Sequence, residues 1–142
     1  EKFKMNEYKF ENFQIGTAAS FEVVATEKMM TEFGILSGDY NPMHINEEYA
    51  QKQGFDSKIV YGMLTSSFYS KLVGMYLPGK YCLLQGIEVI FKKPVYINDT
   101  LKVEGIVAEK DERFKNAKIK AKVINQDGGV VSKATIMVGF YE

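Results

Sequence analysis

The stretch GMLTSSFYSKLVGMYL, residues 62–77, decides the fold of this chain. Its apolar side chains fall on most faces of a helix and Lys71 is its one charged residue, so it predicts a helix that is largely buried. Pro78 and Gly79 follow at once, and this pair ends a helix. The other elements of the chain should therefore surround this segment.

Strand-like runs make up most of the second half of the chain. They cover residues 81–91, 101–110, 115–125 and 130–141, and one further run, 17–25, precedes the long helix. Residues 118–123 alternate Lys with Ile, Ala and Val, as in a strand with one face in water. The run Gln126-Asp127-Gly128-Gly129 predicts a hairpin turn. This order predicts an α+β domain in which one antiparallel sheet wraps around the central apolar helix.

Two shorter helices are expected between the first strand and the long helix. Thr26 can cap a helix whose apolar residues repeat at helical spacing up to Gly38. Asn46 can cap a second helix, residues 47–53, which Gly54 would end.

The length, charge and cysteine content of the chain limit which classes of protein it can belong to. The chain fits one domain, residues 13–142, preceded by a lead-in, residues 1–12, in which Met5 is a candidate natural start. Lys plus Arg equals Asp plus Glu at 18 each, so no global field would gather nucleic acid or an anionic membrane. No apolar run approaches the ~20 residues of a membrane span. The lone Cys82 excludes an internal disulfide and indicates a reducing compartment, so we expect a cytoplasmic protein.

The candidate site is the stretch SGDYNPMH, residues 37–44, which holds the only histidine of the chain. Pro42 fixes its own φ and disfavours helix at Asn41, while Gly38 permits unusual backbone angles. The stretch therefore predicts a rigid, non-helical loop that aims Asp39 and His44 at one point. Taken singly, His44 would more often be a packing residue and Asp39 a turn residue, but their shared stiff loop favours function.

The motif Gly38-Asp39-x-Asn41-Pro42-x-His44, followed by residues 59–64 (IVYGML) and 91–101 (FKKPVYINDTL), resembles the MaoC-like, R-specific enoyl-CoA hydratase family. The similarity extends from about residue 13 to residue 140. It implies a hotdog fold, a homodimer, and hydration of trans-2-enoyl-CoA, or the reverse dehydration of a 3-hydroxyacyl-CoA. The resemblance also implies syn addition and an R product.

The reaction explains these residue types. Water addition needs a base that removes a proton from water, an acid that protonates Cα, and hydrogen-bond donors that stabilise the negative charge on the thioester oxygen. Imidazole, with an unperturbed pKa of ~6.5, can perform either proton step near neutral pH. We expect Asp39 and His44 to hold one water between them. The N–H of Gly62, at the start of the long helix, should donate a hydrogen bond to the thioester oxygen. The resemblance implies this role for the glycine. Tyr61 stands where many relatives carry histidine.

Further candidates have two interpretations each. Asn41 either braces the loop or is an ordinary turn residue, and Ser70 either matches an active-site serine of the family or is a small residue at a helix contact. Lys92, Lys93 and Lys58 are candidates for the phosphates of coenzyme A or an acyl-carrier protein, with Lys80 as a further possibility. Phe91 and Tyr96 are expected to pack rather than to bind a ligand.

Other chemistries find little support. One histidine and one cysteine are too few for a structural zinc site, and the chain has neither a Gly-x-Ser-x-Gly elbow nor a phosphate-cradling glycine loop. No metal or cofactor is therefore expected. Two alternatives stay open: a hotdog acyl-CoA thioesterase and a non-catalytic acyl-CoA-binding protein. The bulky side chains along the helix favour short to medium acyl chains.

Overall fold

The computed structural model describes residues 4–141, so residues 1–3 of the expected lead-in and residue 142 lie outside it. A 3-10 turn, Phe10–Asn12, precedes the first strand. The strands are β1 (Ala18–Val24), β2 (Cys82–Phe91), β3 (Thr100–Asp111), β4 (Asn116–Ile124) and β5 (Val130–Phe140). The helices are α1 (Glu27–Ser37), α2 (Pro42–Ile45), α3 (Glu47–Lys52) and α4 (Gly62–Lys71), and α4 continues as a π turn, Leu72–Tyr76. No helix among residues 4–141 is long and apolar enough to cross a membrane.

The five strands form one antiparallel sheet in the order β1-β3-β4-β5-β2. Buried and more exposed residues alternate along β3 and β4, so one face of the sheet covers the core and the other meets water. The terminal strand β2 is mostly exposed along its length. The predicted α+β class, with a single antiparallel sheet around a central helix, is confirmed.

Small residues let the sheet curl closely around the helix. Ala19, Gly105, Ala121 and Ala134 stand opposite one another across β1, β3, β4 and β5. A Cβ on Gly105 would lie 2.8 Å from the Cδ2 atom of Leu72, which is in van der Waals overlap. Because protein interiors are close-packed, a larger residue here would push the helix off the sheet.

A buried hydrogen bond also joins the helix to the sheet. The hydroxyls of Tyr69 on α4 and Ser132 on β5 lie 2.7 Å apart, and both residues are buried. Not all of the long segment is covered, however. Met63 is 67% exposed, although its neighbours Leu64 and Thr65 in the first turn are buried as expected.

The ends of α1 match their predicted signals. The Thr26 side chain accepts the N–H of Met29 at 3.1 Å, and Gly38 follows the helix in the left-handed conformation, with φ of 75°. The prediction that residues 37–44 are non-helical is wrong for Ser37, which ends α1, and for residues 42–44, which belong to the helical turn Pro42–Ile45. Asn41 is extended, as a residue before proline should be, but its side chain caps the turn, and Pro42 occupies the first helical position, where no N–H is needed.

Candidate active site

Short side-chain hydrogen bonds shape the loop that carries Asp39. The Ser37 hydroxyl accepts the N–H of Asp39 at 3.1 Å, and the Asp39 Oδ1 atom accepts the N–H of Asn41 at 3.0 Å. The Asn41 Oδ1 atom in turn accepts the N–H of Met43 at 3.0 Å. Each bond spans two residues, so it fixes the local turn without attaching the loop to the rest of the molecule.

His44 is held by the segment that precedes α4. Its Nδ1 atom lies 2.8 Å from the carbonyl oxygen of Ile59, and the N–H of Ile59 donates to the carbonyl of Met43 at 3.0 Å. A carbonyl oxygen only accepts, so Nδ1 must carry the proton of this bond. The neutral imidazole therefore keeps its lone pair on Nε2, where it can accept a proton from another molecule.

Tyr61 contacts both halves of the expected dyad. Its ring stacks on His44 with centroids 4.2 Å apart, and its hydroxyl donates to the carbonyl oxygen of Asp39 at 2.6 Å. Burial raises the pKa of the Tyr61 hydroxyl, and the negative charge of Asp39 raises it further. The hydroxyl therefore remains a donor over the whole neutral pH range.

A cavity of about 340 Å³ brings His44 next to the first residue of α4, Gly62. The N–H of a first helical residue has no partner within the helix, so Gly62 can offer it to a ligand. A Cβ on Gly62 would lie 3.0 Å from the Phe91 ring, so glycine is what allows this ring contact. The full lining is His44, Phe55, Ile59, Val60, Gly62, Thr65, Phe91, Lys92, Lys93, Pro94, Val95 and Val131.

His44 also borders a second cavity, of about 270 Å³. Met30, Gly34, Ile35, Tyr40 and Ile45 line it together with Tyr61. The Lys58 ammonium and the Glu27 carboxylate form an ion pair at its side, 2.7 Å apart. His44 thus borders both cavities, whereas Tyr61, on which its ring stacks, lines only the second.

The other expected site residues fall in different places. Lys92 and Lys93 line the cavity that holds His44 and Gly62. Lys58 is paired with Glu27 instead, and Lys80 lies beyond the far end of α4, 3.8 Å from Glu7. Asp39 and Ser70 are exposed and line neither of the two cavities.

Some contacts at this site were not expected from the sequence. The Ile59 carbonyl, the Tyr61 hydroxyl and the Phe91 ring all belong to it. Phe91, which was expected to pack rather than to bind, lines the cavity and is 52% exposed. No periodicity or motif signals which carbonyl a histidine will meet. No group of three or more metal-ligating side chains occurs within residues 4–141.

An antiparallel sheet curled around one central helix defines the hotdog fold. Within that fold class the chain belongs to the MaoC-like family, since the family model described as "MaoC like domain" matches residues 10–128. The resemblance inferred from the loop motif is thereby confirmed.

Individual relatives agree with this family. The (R)-specific enoyl-CoA hydratase of Rhodospirillum rubrum is 39% identical over 105 residues, which cover 71% of this chain and 73% of the relative. The (R)-specific enoyl-CoA hydratase of Aeromonas caviae is 30% identical over 120 residues, covering 84% and 90%. The unliganded structure of the R-hydratase PhaJ1 from Pseudomonas aeruginosa superposes with a TM-score of 0.88 at 27% identity, covering 97% of this chain and 88% of that one.

Proposed function

We propose that this protein is an R-specific enoyl-CoA hydratase that also runs in reverse as a 3-hydroxyacyl-CoA dehydratase. One observation carries the proposal: His44, with its Nδ1 atom occupied by the Ile59 carbonyl, shares a cavity with the first residue of α4, Gly62. An unprotonated Nε2 atom and a helix N-terminus are the base and the oxyanion donor that water addition to an enoyl thioester needs. The named activities of the Rhodospirillum and Aeromonas relatives support the same reaction.

The proton steps follow from the state of the imidazole. As the water oxygen attacks Cβ, His44 takes one water proton at Nε2, and the electrons of the double bond move to the thioester oxygen as an enolate. The Asp39 carboxylate lines neither cavity, so in this proposal it reaches the same water from the solvent side, with the oxygen that the Asn41 N–H does not occupy. A proton then passes from the dyad to Cα on the same face, which gives syn addition. The R configuration is proposed from the named specificity of the Rhodospirillum and Aeromonas relatives.

Charge development on the thioester is the second requirement. The Gly62 N–H points out of the first turn of α4, where the helix dipole favours negative charge. The absence of a side chain at Gly62 lets a thioester approach the backbone closely. Lys92 and Lys93, which line the same cavity, are the cations for the phosphates of coenzyme A or of an acyl-carrier protein.

We further propose that the protein works as a homodimer joined through β2. This strand ends the sheet, and Leu83, Leu84, Ile87, Ile90 and Phe91 on it are each 44–52% exposed. A long apolar edge strand promotes uncontrolled pairing unless something covers it. A second copy of β2 would extend the sheet and bury these side chains next to the cavity that Phe91 lines.

A single set of assays tests the reaction. The purified protein should remove the conjugated-thioester absorbance of trans-2-butenoyl-CoA and yield the R enantiomer of 3-hydroxybutyryl-CoA. Release of free thiol from a saturated acyl-CoA would support the thioesterase alternative, and binding of acyl-CoA without turnover would support a non-catalytic role. Repeating the assay along a series of enoyl-CoA lengths measures the capacity of the cavity.

A further inference from the structure

We propose that Tyr61 is a positioning residue for the reaction, which holds Asp39, His44 and the Gly62 amide in one fixed arrangement. This inference rests on the proposed hydratase function, because it concerns the geometry of that site. Tyr61 is 2% exposed and does not need to touch substrate. It acts through the groups that it contacts.

Tyr61 is connected to the site in three ways. Tyr61 is the N-cap residue of α4, so it is covalently joined to Gly62, and its carbonyl accepts the N–H groups of Leu64 and Thr65. Its ring stacks on the imidazole of His44, with the two planes inclined by 29°. Its hydroxyl reaches the carbonyl of Asp39. One residue therefore links all three groups: the Tyr61 backbone joins Gly62, its ring contacts His44, and its hydroxyl binds the Asp39 loop.

The hydroxyl contact is the long-range anchor of the Asp39 loop. The other hydrogen bonds of residues 38–41 that the structure describes are local, since they join residues no more than four positions apart. The bond from Tyr61 to Asp39 spans 22 positions. Within the described part of the chain, it is thus the hydrogen bond that sets where this loop stands relative to α4.

Helix α1 leaves space for this hydroxyl. Gly34 lies inside α1, where glycine is less favourable than alanine. A Cβ built on Gly34 would lie 3.0 Å from the Tyr61 hydroxyl oxygen and 3.4 Å from the ring of Tyr40. The glycine is therefore explained by the need for clearance around Tyr61, and Phe33 on the same helix packs against the Tyr61 ring with centroids 4.8 Å apart.

The protonation state suits this role. Burial raises the pKa of Tyr61, with Asp39 and Tyr40 adding to the shift, so the phenol stays neutral and keeps donating. A neutral donor exerts no strong field on the dyad. Tyr61 therefore contributes geometry rather than a proton or a charge.

The test compares two buried tyrosines that each lose only a hydroxyl group. Tyr61→Phe removes the bond to Asp39, while the matched control Tyr69→Phe removes the bond to Ser132 on the sheet. We expect Tyr61→Phe to lower kcat about tenfold, a factor that corresponds to ~1.4 kcal/mol in the barrier, while KM changes less than about twofold. Tyr69→Phe should lose thermal stability but keep its kcat.

Gly34→Ala provides an independent approach to the same contact. Alanine favours the helix, so this variant should not lose helical structure, yet its Cβ crowds the Tyr61 hydroxyl. We expect a fall in kcat in the same direction as for Tyr61→Phe. An unchanged kcat in both variants, or an equal loss of kcat in Tyr69→Phe, would overturn the proposal.

A spectroscopic measurement separates this inference from the proposed function. His44 is the one imidazole of the chain, so its NMR signals are unambiguous in untagged protein. Tyr61→Leu removes the stacked ring and should shift the His44 ring protons downfield, whereas Tyr69→Phe should leave them in place. Unchanged His44 signals in Tyr61→Leu would overturn the proposal even if the wild-type protein hydrates enoyl-CoA. A wild-type protein without hydratase activity would reject the proposed function, while shifted signals would still support the ring contact between Tyr61 and His44 on which the positioning role depends.

Discussion

The Nδ1 atom of His44 lies 2.8 Å from the carbonyl oxygen of Ile59, and this contact determines which nitrogen of the imidazole can act as a base. The backbone of Ile59 also donates to Met43, next to His44 in the chain, so the two segments are bound in both directions. The tautomer is thus fixed by the backbone, as it is for many functional histidines.

This contact predicts the tautomer of the free protein. At a pH where the imidazole is neutral, the ¹⁵N spectrum of labelled protein should show Nδ1 protonated and Nε2 unprotonated, although free histidine prefers a proton on Nε2. The measurement needs no substrate. A proton found on Nε2 would mean that His44 cannot accept the water proton in the way proposed.

Gly62→Ala tests the close approach to the first amide of α4. The added Cβ would lie 3.0 Å from Phe91, so it narrows the cavity at the point where the thioester oxygen should sit. We expect the protein to fold and the hydration rate to fall about 10²-fold, the usual effect of misplacing a reacting group by an ångström. Gly74→Ala is the control, because its Cβ would meet no heavy atom within 4 Å. Equal hydration rates for the two variants would contradict the proposed role of Gly62 in binding the thioester oxygen.

The sequence was a good guide wherever a local signal decides the structure. Thr26 and Gly38 delimit α1 as expected, and the hairpin turn that ends in Gly128 and Gly129 joins β4 to β5. The helical turn at Pro42–Ile45 was missed, because proline disfavours helix at the preceding residue but suits the first position of a new helix.

The composition of the site was harder to predict, because its contacts join distant positions. Lys58 was named as a phosphate candidate, and its ion pair with Glu27, which spans 31 residues, could not be predicted from the local sequence. The same is true of the Tyr61 bond to Asp39. Motif and resemblance singled out Asp39 and His44 as candidates, whereas the groups that contact them became visible only when the chain was folded.

The exposed β2 strand predicts the oligomeric state. Light scattering after gel filtration should give twice the chain mass of 16.1 kDa. Ile87→Lys places a charge on the edge strand and should produce a monomer, since an unpaired charge is costly in an apolar interface. The control is Ile106→Lys on β3, which has nearly the same exposure, 45% against 44%. A monomeric wild-type protein, or dissociation by the Ile106 variant alone, would contradict the β2 interface.

The single thiol makes a prediction about pH. Burial raises the pKa of Cys82 to about 11, and the thiolate is the form that reacts with disulfide reagents. At pH 8 the folded protein should therefore react about 10²-fold more slowly than the unfolded chain, whose thiol has a pKa of ~8.5. The reaction of the folded protein should accelerate as the pH rises toward 11. Because the folded state holds this proton more tightly, its contribution to stability is complete below pH ~8.5 and is lost as the pH approaches 11. Fast labelling of the native protein at pH 8 would contradict the burial of Cys82.

The hydration rate of the dyad variants tests the proposed reaction most directly. Asp39→Asn and His44→Gln keep each side chain close to its original size. Each variant should hydrate trans-2-butenoyl-CoA about 10²–10⁴-fold more slowly, which is the loss typical of an acid–base residue. Glu47→Gln, an exposed carboxylate on α3, should keep the wild-type rate. If both dyad variants instead hydrate the substrate at close to the wild-type rate, then Asp39 and His44 do not carry the reaction.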